Sequence, residues 1–490
     1  MRFYLARVDA PENRLLATRD DRRIDWRGTC DAKLDLARIN HMLLNGDPAG
    51  YLEIEDENGQ LREFVTNDIF SGNLYQQPQV RVVSEDARTY VRRFRDYFDV
   101  IYSLSSNTFS ALGSGSFAFA ENYLFTVEAF ADYWNSLTRE GFMTIEHQFY
   151  MPRLVSDVLV ALAGMGIENP ADHIAVYEIP NLRRHVLLLS KAPLDDGLRQ
   201  TALGELNVEG RAMKHLVYPL PEGAENNLIN RIVEQGWENV ADTAEVDVSP
   251  TWDDEPFIAQ MGLMRNFEFE QLKSTHPIGD VMGFPLSKAI LALIVAVVLA
   301  IVVPLNLLPY LGRGEKLPLR FWAYFFTIGL AFMIVEIVLI QKYTLLIGAS
   351  IYSIGTVLLT LLIASGTGAR YARNFAGFVP FLVIAVWMAL LLMLDDALLA
   401  ATNELPMALR ALSVAVVVFP LGFFMGMPFV NGALKVGELI DWGFAVNGAA
   451  SVLGATLAIV LAFNIGYTNT LLIAVALYVA AGVLLTRQSV

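Results

Sequence analysis

A single cysteine, Cys30, occurs among 490 residues, so an intrachain disulfide and a multi-cysteine metal cluster are both excluded. Histidine is sparse: His41, His147, His173, His185, His215 and His276 share no spacing that would bring rings to one ion, and no metal site is expected. Basic residues are in deficit, 36 Lys and Arg against 51 Asp and Glu. Residues 286–490 carry 10 basic and 7 acidic residues, which leaves 26 and 44 in the first 285, a net charge of −18 there. So acidic a stretch has no surface for neutralising phosphates, which excludes nucleic acid as a partner. Long apolar runs are also missing before residue 286. The opening MRFYLARVDAPENRLL has no apolar core of the kind a signal peptide needs, so residues 1–285 are expected to stay in the cytoplasm.

Apolar runs fill the remainder. Seven are legible, at 288–310, 321–341, 347–366, 376–394, 409–430, 442–463 and 468–486. Runs of about 20 apolar residues match the hydrocarbon thickness of a bilayer at helical rise. Backbone polar groups in lipid must be satisfied within the segment, so each run is expected to be a helix. A turn around Gln341 and Lys342 separates the second run from the third. Polar side chains at this depth are costly and should face the bundle interior. Glu336 and Asn447 are the two that stand out, with Gln341 and Ser451 as further members of a polar membrane site. Such a site would serve either as a substrate or proton site or as a hydrogen-bonded clasp between helices. The expected partner is the lipid bilayer, in the cell (inner) membrane with several crossings.

Loop charges argue against a cytoplasmic domain. With seven crossings Arg313, Lys316, Arg320, Arg370, Arg373, Lys435 and Arg487 lie on the far side, and only Lys288, Lys342 and Arg410 share the domain's side. The missing export signal is taken to outweigh that count.

The first 200 residues alternate short β-branched strands with amphipathic helices. VRVVSED and FDVIYSL read as strands, ARTYVRRF as a short helix, and ENYLFTVEAFADYWNSLTREG as a longer helix stopped by Gly141. FMTIEHQFY reads as a strand and RLVSDVLVALAGMGI as a helix. Such alternation predicts a mostly parallel sheet covered on both faces. Residues 201–285 lose periodicity and gain proline, reading as a small mixed segment and linker. The expected fold is an α/β Rossmann-like, methyltransferase-like domain (1–200), the mixed segment (201–285), and an all-α bundle of about seven transmembrane helices (286–490).

PQVRVVSEDARTYVRR, DYFDVI and AFAENYLFTVEAFADYWNSLTREGFMTI resemble the second half of a spermidine-synthase-like Rossmann domain. TWDDEPF (Thr251–Phe257), FMIVEIVLIQKYTLLIG, FFMGMPFVNG and FAVNGAASVLG are similar to signatures of the membrane-integrated branch of that family. The resemblance implies an aminopropyltransferase- or methyltransferase-type activity with S-adenosylmethionine or its decarboxylated form as cofactor. It assigns the cofactor to Gly28, Glu55, Asp86 and Arg88. A glycine-rich loop lets backbone N–H groups approach the ligand, and an acid about 20 residues on holds the ribose. Here WRGTCDAKLD retains only Gly28, and Leu104 and Asn107 stand where the family would place a proton-accepting acid. These departures describe a pseudoenzyme. Three functions follow: a membrane-anchored S-adenosyl-dependent transferase, a non-catalytic membrane subunit that docks a protein partner through its Rossmann-like domain, or a transporter-like module built around Glu336 and Asn447.

Overall fold

The computed structural model describes residues 3–6, 53–55, 61–63, 80, 81, 83, 86–103, 122–180, 184–195, 206–208, 211–273, 279–311, 315–348, 350–375 and 377–487. Gly28, Leu104 and Asn107 lie outside them.

A mixed sheet forms the N-terminal part. Its strands are β1 (Phe3–Ala6), β4 (Phe98–Ser103), β5 (Leu137–His147), β6 (Ile174–Ile179), β7 (Arg184–Ser190), β8 (Leu206–Val208) and β9 (Arg211–Tyr218), in the order β1-β4-β5-β7-β6-β9-β8. Strands β2 (Glu53–Glu55) and β3 (Leu61–Glu63) form a separate antiparallel pair. The helices of this part are α1 (Ala87–Val91), α2 (Val127–Ser136), α3 (Met151–Gly164), α4 (Leu228–Gln235) and α5 (Trp237–Ala241).

The sheet is mixed rather than mostly parallel. Among the described residues only β4 and β5 pair in parallel, joined across α2, while β7 runs antiparallel to both β5 and β6. The cause is the short sequence separation of β6 and β7: one ends at Ile179 and the other begins at Arg184, whereas a parallel crossover would need a dozen residues or more. Val91, Phe98, Phe130, Tyr133, Met143, Leu154, Val158 and Leu187 pack into one buried core between the sheet and α1–α3.

Gly141 does not stop a helix. Helix α2 ends at Ser136 and β5 begins at Leu137 with no loop between them. Register with β4 shifts between Phe98 and Val100, and a Cβ on Gly141 would lie 2.7 Å from the Phe98 carbonyl oxygen. Glycine is required by that close strand crossing.

Helices fill the C-terminal part: α6 (Leu286–Leu311), α7 (Leu319–Ile347), α8 (Ser350–Tyr371), α9 (Val379–Thr402), α10 (Met407–Met425), α11 (Met427–Val436) and α12 (Ile440–Thr486). Four helical stretches among the described residues are long and apolar enough to cross a membrane: Leu286–Asn306, Leu319–Ile347, Ile351–Asn374 and Met407–Thr486, the last interrupted between α10, α11 and α12. This is a membrane protein by that measure. The expected turn at Gln341–Lys342 is absent, because α7 continues to Ile347 and ends at Gly348, where φ is +111°. Lys342 needs no aqueous loop, since its ammonium pairs with Asp395 of α9 at 2.7 Å. A second positive-φ glycine, Gly466 (φ +80°, ψ +168°), breaks α12 into two helices.

Candidate functional site

The segment Thr251–Phe257 joins the two parts of the molecule. Glu255 N–H donates to the Trp252 carbonyl at 2.9 Å, closing a turn with Asp253 and Asp254 at its corners. The two carboxylates serve opposite sides.

Asp253 faces the α/β domain. Arg88, on α1 and 2% exposed, donates from Nη1 and Nη2 to the two Asp253 oxygens at 2.6 and 2.8 Å. Its Nε donates to Asp132 of α2 at 2.8 Å, and Nη1 also reaches the Tyr123 carbonyl at 2.8 Å. The Thr126 hydroxyl donates to Asp253 at 2.7 Å, and the same oxygen accepts Ala129 N–H, so Thr126 caps α2 as well. Burial lowers the affinity of Arg88 for its proton, but the charges of Asp253 and Asp132 outweigh it and hold the guanidinium ionised well beyond its ordinary range. Glu128 accepts the Asp253 N–H at 3.0 Å. Its carboxyl is pushed up to about 7, by burial first and then by the Asp253 charge.

Asp254 faces the bundle. Its carboxylate accepts from Thr468 N–H at 2.9 Å and Thr468 Oγ1 at 2.7 Å, and its carbonyl accepts Tyr467 N–H at 3.0 Å. These are the free donors of the helix that restarts after Gly466, so Asp254 caps the last helix from outside the bundle. Phe257 packs on Phe463 and Tyr467, with ring centroids 5.1 and 5.9 Å away.

The segment is also held from the core of the domain. Arg153 of α3 donates to the carbonyls of Ser249 (2.8 Å) and Phe257 (3.0 Å). Asp157, fully buried on α3, accepts Thr251 N–H at 2.5 Å and lies 2.8 Å from Thr251 Oγ1, which in turn lies 2.8 Å from the Phe125 carbonyl oxygen. A hydroxyl has one proton, and Phe125 O can only accept it. The Asp157–Thr251 contact therefore uses a proton on Asp157. That agrees with the shift of this carboxyl, which burial pushes up to about 8 against the opposing pull of the Thr251 hydrogen bond and the Arg153 charge.

The sign of the pH effect follows. Unfolded, Asp157 titrates near the ordinary carboxylate value of about 4. Between there and its folded value the native state holds a proton that the unfolded chain has lost, so this contribution is whole in acid and declines until the pH passes about 8. Melting of the Asp157→Asn variant is expected to show a flatter decline over that window than the wild type, because the amide supplies the same donor without titrating. Parallel slopes for the two proteins would contradict this assignment.

The residues marked by the family resemblance fall in different places. Asp86 is the N-cap of α1, its Oδ1 accepting Thr89 N–H at 2.9 Å, and Arg88 is the buried centre of the clasp described above. Glu55 ends β2, outside the large sheet. In the bundle, Asn447 donates from Nδ2 to the Phe325 carbonyl of α7 at 3.1 Å, and Ser451 Oγ donates to the Asn447 carbonyl at 2.9 Å. Both bonds tie α12 to α7 or to itself. The Gln341 carbonyl accepts the Tyr123 hydroxyl at 3.0 Å, another link from domain to bundle, and Glu336 is half-buried on α7. Asp132, Arg153, Asp157 and Glu128 carry the junction without any local sequence signal: each sits on an ordinary amphipathic helix and gains its role from a partner between 44 and 125 residues away. Among the described residues no group of His, Cys, Asp and Glu is placed to hold a metal ion. Comparison with protein-family models, with curated proteins and with solved structures finds no match in any of the three.

Proposed function

We propose that this chain is a multi-pass membrane subunit of spermidine-synthase-like descent whose Rossmann-like domain is a docking scaffold fixed to the bundle, and no longer a transferase. The observation that carries the reading is the state of Arg88. A residue assigned to cofactor is instead consumed, with Nε, Nη1 and Nη2 all committed to Asp132, Asp253 and Tyr123 within the protein. Asp86, its companion, is spent on capping α1. A half-domain of Rossmann type is supported by β4, β5 and β6 running in one direction with α2 and α3 on the connections. A seven-crossing bundle is supported by the alternation of ends at the domain. The C-termini of α7 and α9, the N-terminus of α10 and the break at Gly466 all lie against the domain, as they would if successive helices crossed in opposite senses. The domain is placed on the cytoplasmic face of the inner membrane, and its partner is a second protein of the same membrane.

Calorimetric titration of the detergent-solubilised chain with S-adenosylmethionine and with its decarboxylated form tests the proposal. Neither is expected to give heat or to move the melting midpoint. Saturable binding of either one would restore the transferase. Purification from the native membrane as a lone monomer would overturn the docking role.

A further inference from the structure

Helix α1 lies across the end of the bundle. At its start, Asp86 Cβ is 3.3 Å from the place a Cβ on Gly348 would occupy, at the end of α7. Just past its end, Arg92 and Arg93 both reach Asn403, the residue that follows α9. Arg92 Nε donates to Asn403 Oδ1 at 2.5 Å, and Arg93 Nε donates to the Asn403 carbonyl at 3.1 Å. The Arg92 carbonyl accepts from Asn403 Nδ2 at 3.4 Å. Helix α10 begins at Met407, and Arg410 in its first turn is fully buried. The apolar stretches of α7, α9 and α10 thus all give way to polar groups at this level, the level of a bilayer's head groups.

Arg92 stands out among these side chains. Its Nε is fixed by Asn403, but Nη1 and Nη2 are buried and have no hydrogen-bond partner. Burial, with the like charges of Arg88 and Arg410, lowers its pKa to about 10; Asp132 and Asp86 act in the opposite sense, yet neither supplies a bond to the two terminal nitrogens. The acids nearest Arg88 give Arg92 no bond, since Asp132 and Asp253 pair with Arg88. A guanidinium fork held by its Nε and left with two unused donors is complementary to an oxyanion that accepts two parallel N–H bonds.

We propose that the Arg92 fork binds a phosphate group at the head-group level, seated between α1 and the α9–α10 junction. The phosphate of an acidic phospholipid and free inorganic phosphate have the shared chemistry, and the position among helix ends favours the lipid.

The full chain, delipidated in a sugar-headed detergent, is titrated separately with inorganic phosphate, at constant ionic strength against chloride, and with phosphatidylglycerol, against a neutral glycolipid. A rise of several degrees in the melting midpoint with phosphatidylglycerol alone identifies the lipid, and a rise with inorganic phosphate as well identifies an open phosphate site. Either rise should vanish in Arg92→Gln and shrink in Arg92→Lys, which keeps the charge but loses the fork. Should Arg92→Gln fail to fold, Arg92→Lys and native mass spectrometry of the wild type decide: the wild type should retain phosphatidylglycerol over glycolipid through desolvation. No response to either phosphate source, or an equal response in wild type and Arg92→Lys, overturns the proposal.

Discussion

Replacing Arg88 by methionine is expected to cost about 3–5 kcal/mol of stability, the range for removing one partner of a buried ion pair. Methionine fills much of the same volume, so the loss is electrostatic and not a cavity. It leaves Asp253 and Asp132 near one another without a counter-charge, and leaves the Tyr123 carbonyl without its donor. Glu128, already pushed up by the Asp253 charge, would feel more of that charge and rise further. Asp132→Asn should cost less, because the Asp132 side chain is 29% exposed and water can replace part of the bond. The readout is the half-life for loss of the folded, monodisperse state of the detergent-solubilised chain at fixed temperature, the kinetic measure suited to irreversible unfolding. Limited proteolysis supplies a second readout, since the segment 249–260 should become a cleavage site once Asp253 is released. Equal half-lives for wild type and Arg88→Met would mean that the clasp contributes nothing.

This clasp also marks where sequence reasoning stops. Apolar length is a local property, and the helices of the C-terminal part follow the apolar runs to within a few residues at most ends. Two ends depart further: α9 continues to Thr402, past the expected 394, and α7 runs through Gln341–Lys342, where a charge inside an apolar run reads as a turn unless its partner, Asp395, is known. Strand direction was not legible, because no local signal showed that β6 and β7 are two separate strands only a few residues apart. Gly141 reads equally as a helix stop or as a close approach of strands. Asp86 and Arg88 carry the same ambiguity in sharper form. An acid and a guanidinium at this spacing suit a nucleoside ligand or a buried cap and clasp, and the clasp partner Asp253 lies 165 residues away. The Asp-Asp pair of Thr251–Phe257 is conspicuous in sequence, yet nothing local says that one carboxylate turns to the domain and its neighbour to the bundle.

Gly466→Ala is expected to loosen that second attachment with comparable force. At φ +80° and ψ +168° the backbone lies in a region that is essentially restricted to glycine, at a cost of about 1–3 kcal/mol for any other residue. The added methyl would also run into the Asp254 carboxylate and drive it off Thr468. Losing that cap adds about 0.5–2 kcal/mol. The two costs can be separated. Asp254→Ala removes both the cap and the atom with which the methyl collides, so Gly466→Ala in that background should retain only its backbone strain. The double variant is therefore expected to be more stable than the sum of the singles implies, by roughly the cap's contribution, a coupling of the size seen for residues in direct contact. Half-lives of the folded, monodisperse state of the four proteins close the cycle. Additive losses would mean that Asp254 and Gly466 act independently, and a last helix capped from outside would then cease to explain how the domain is held on the bundle.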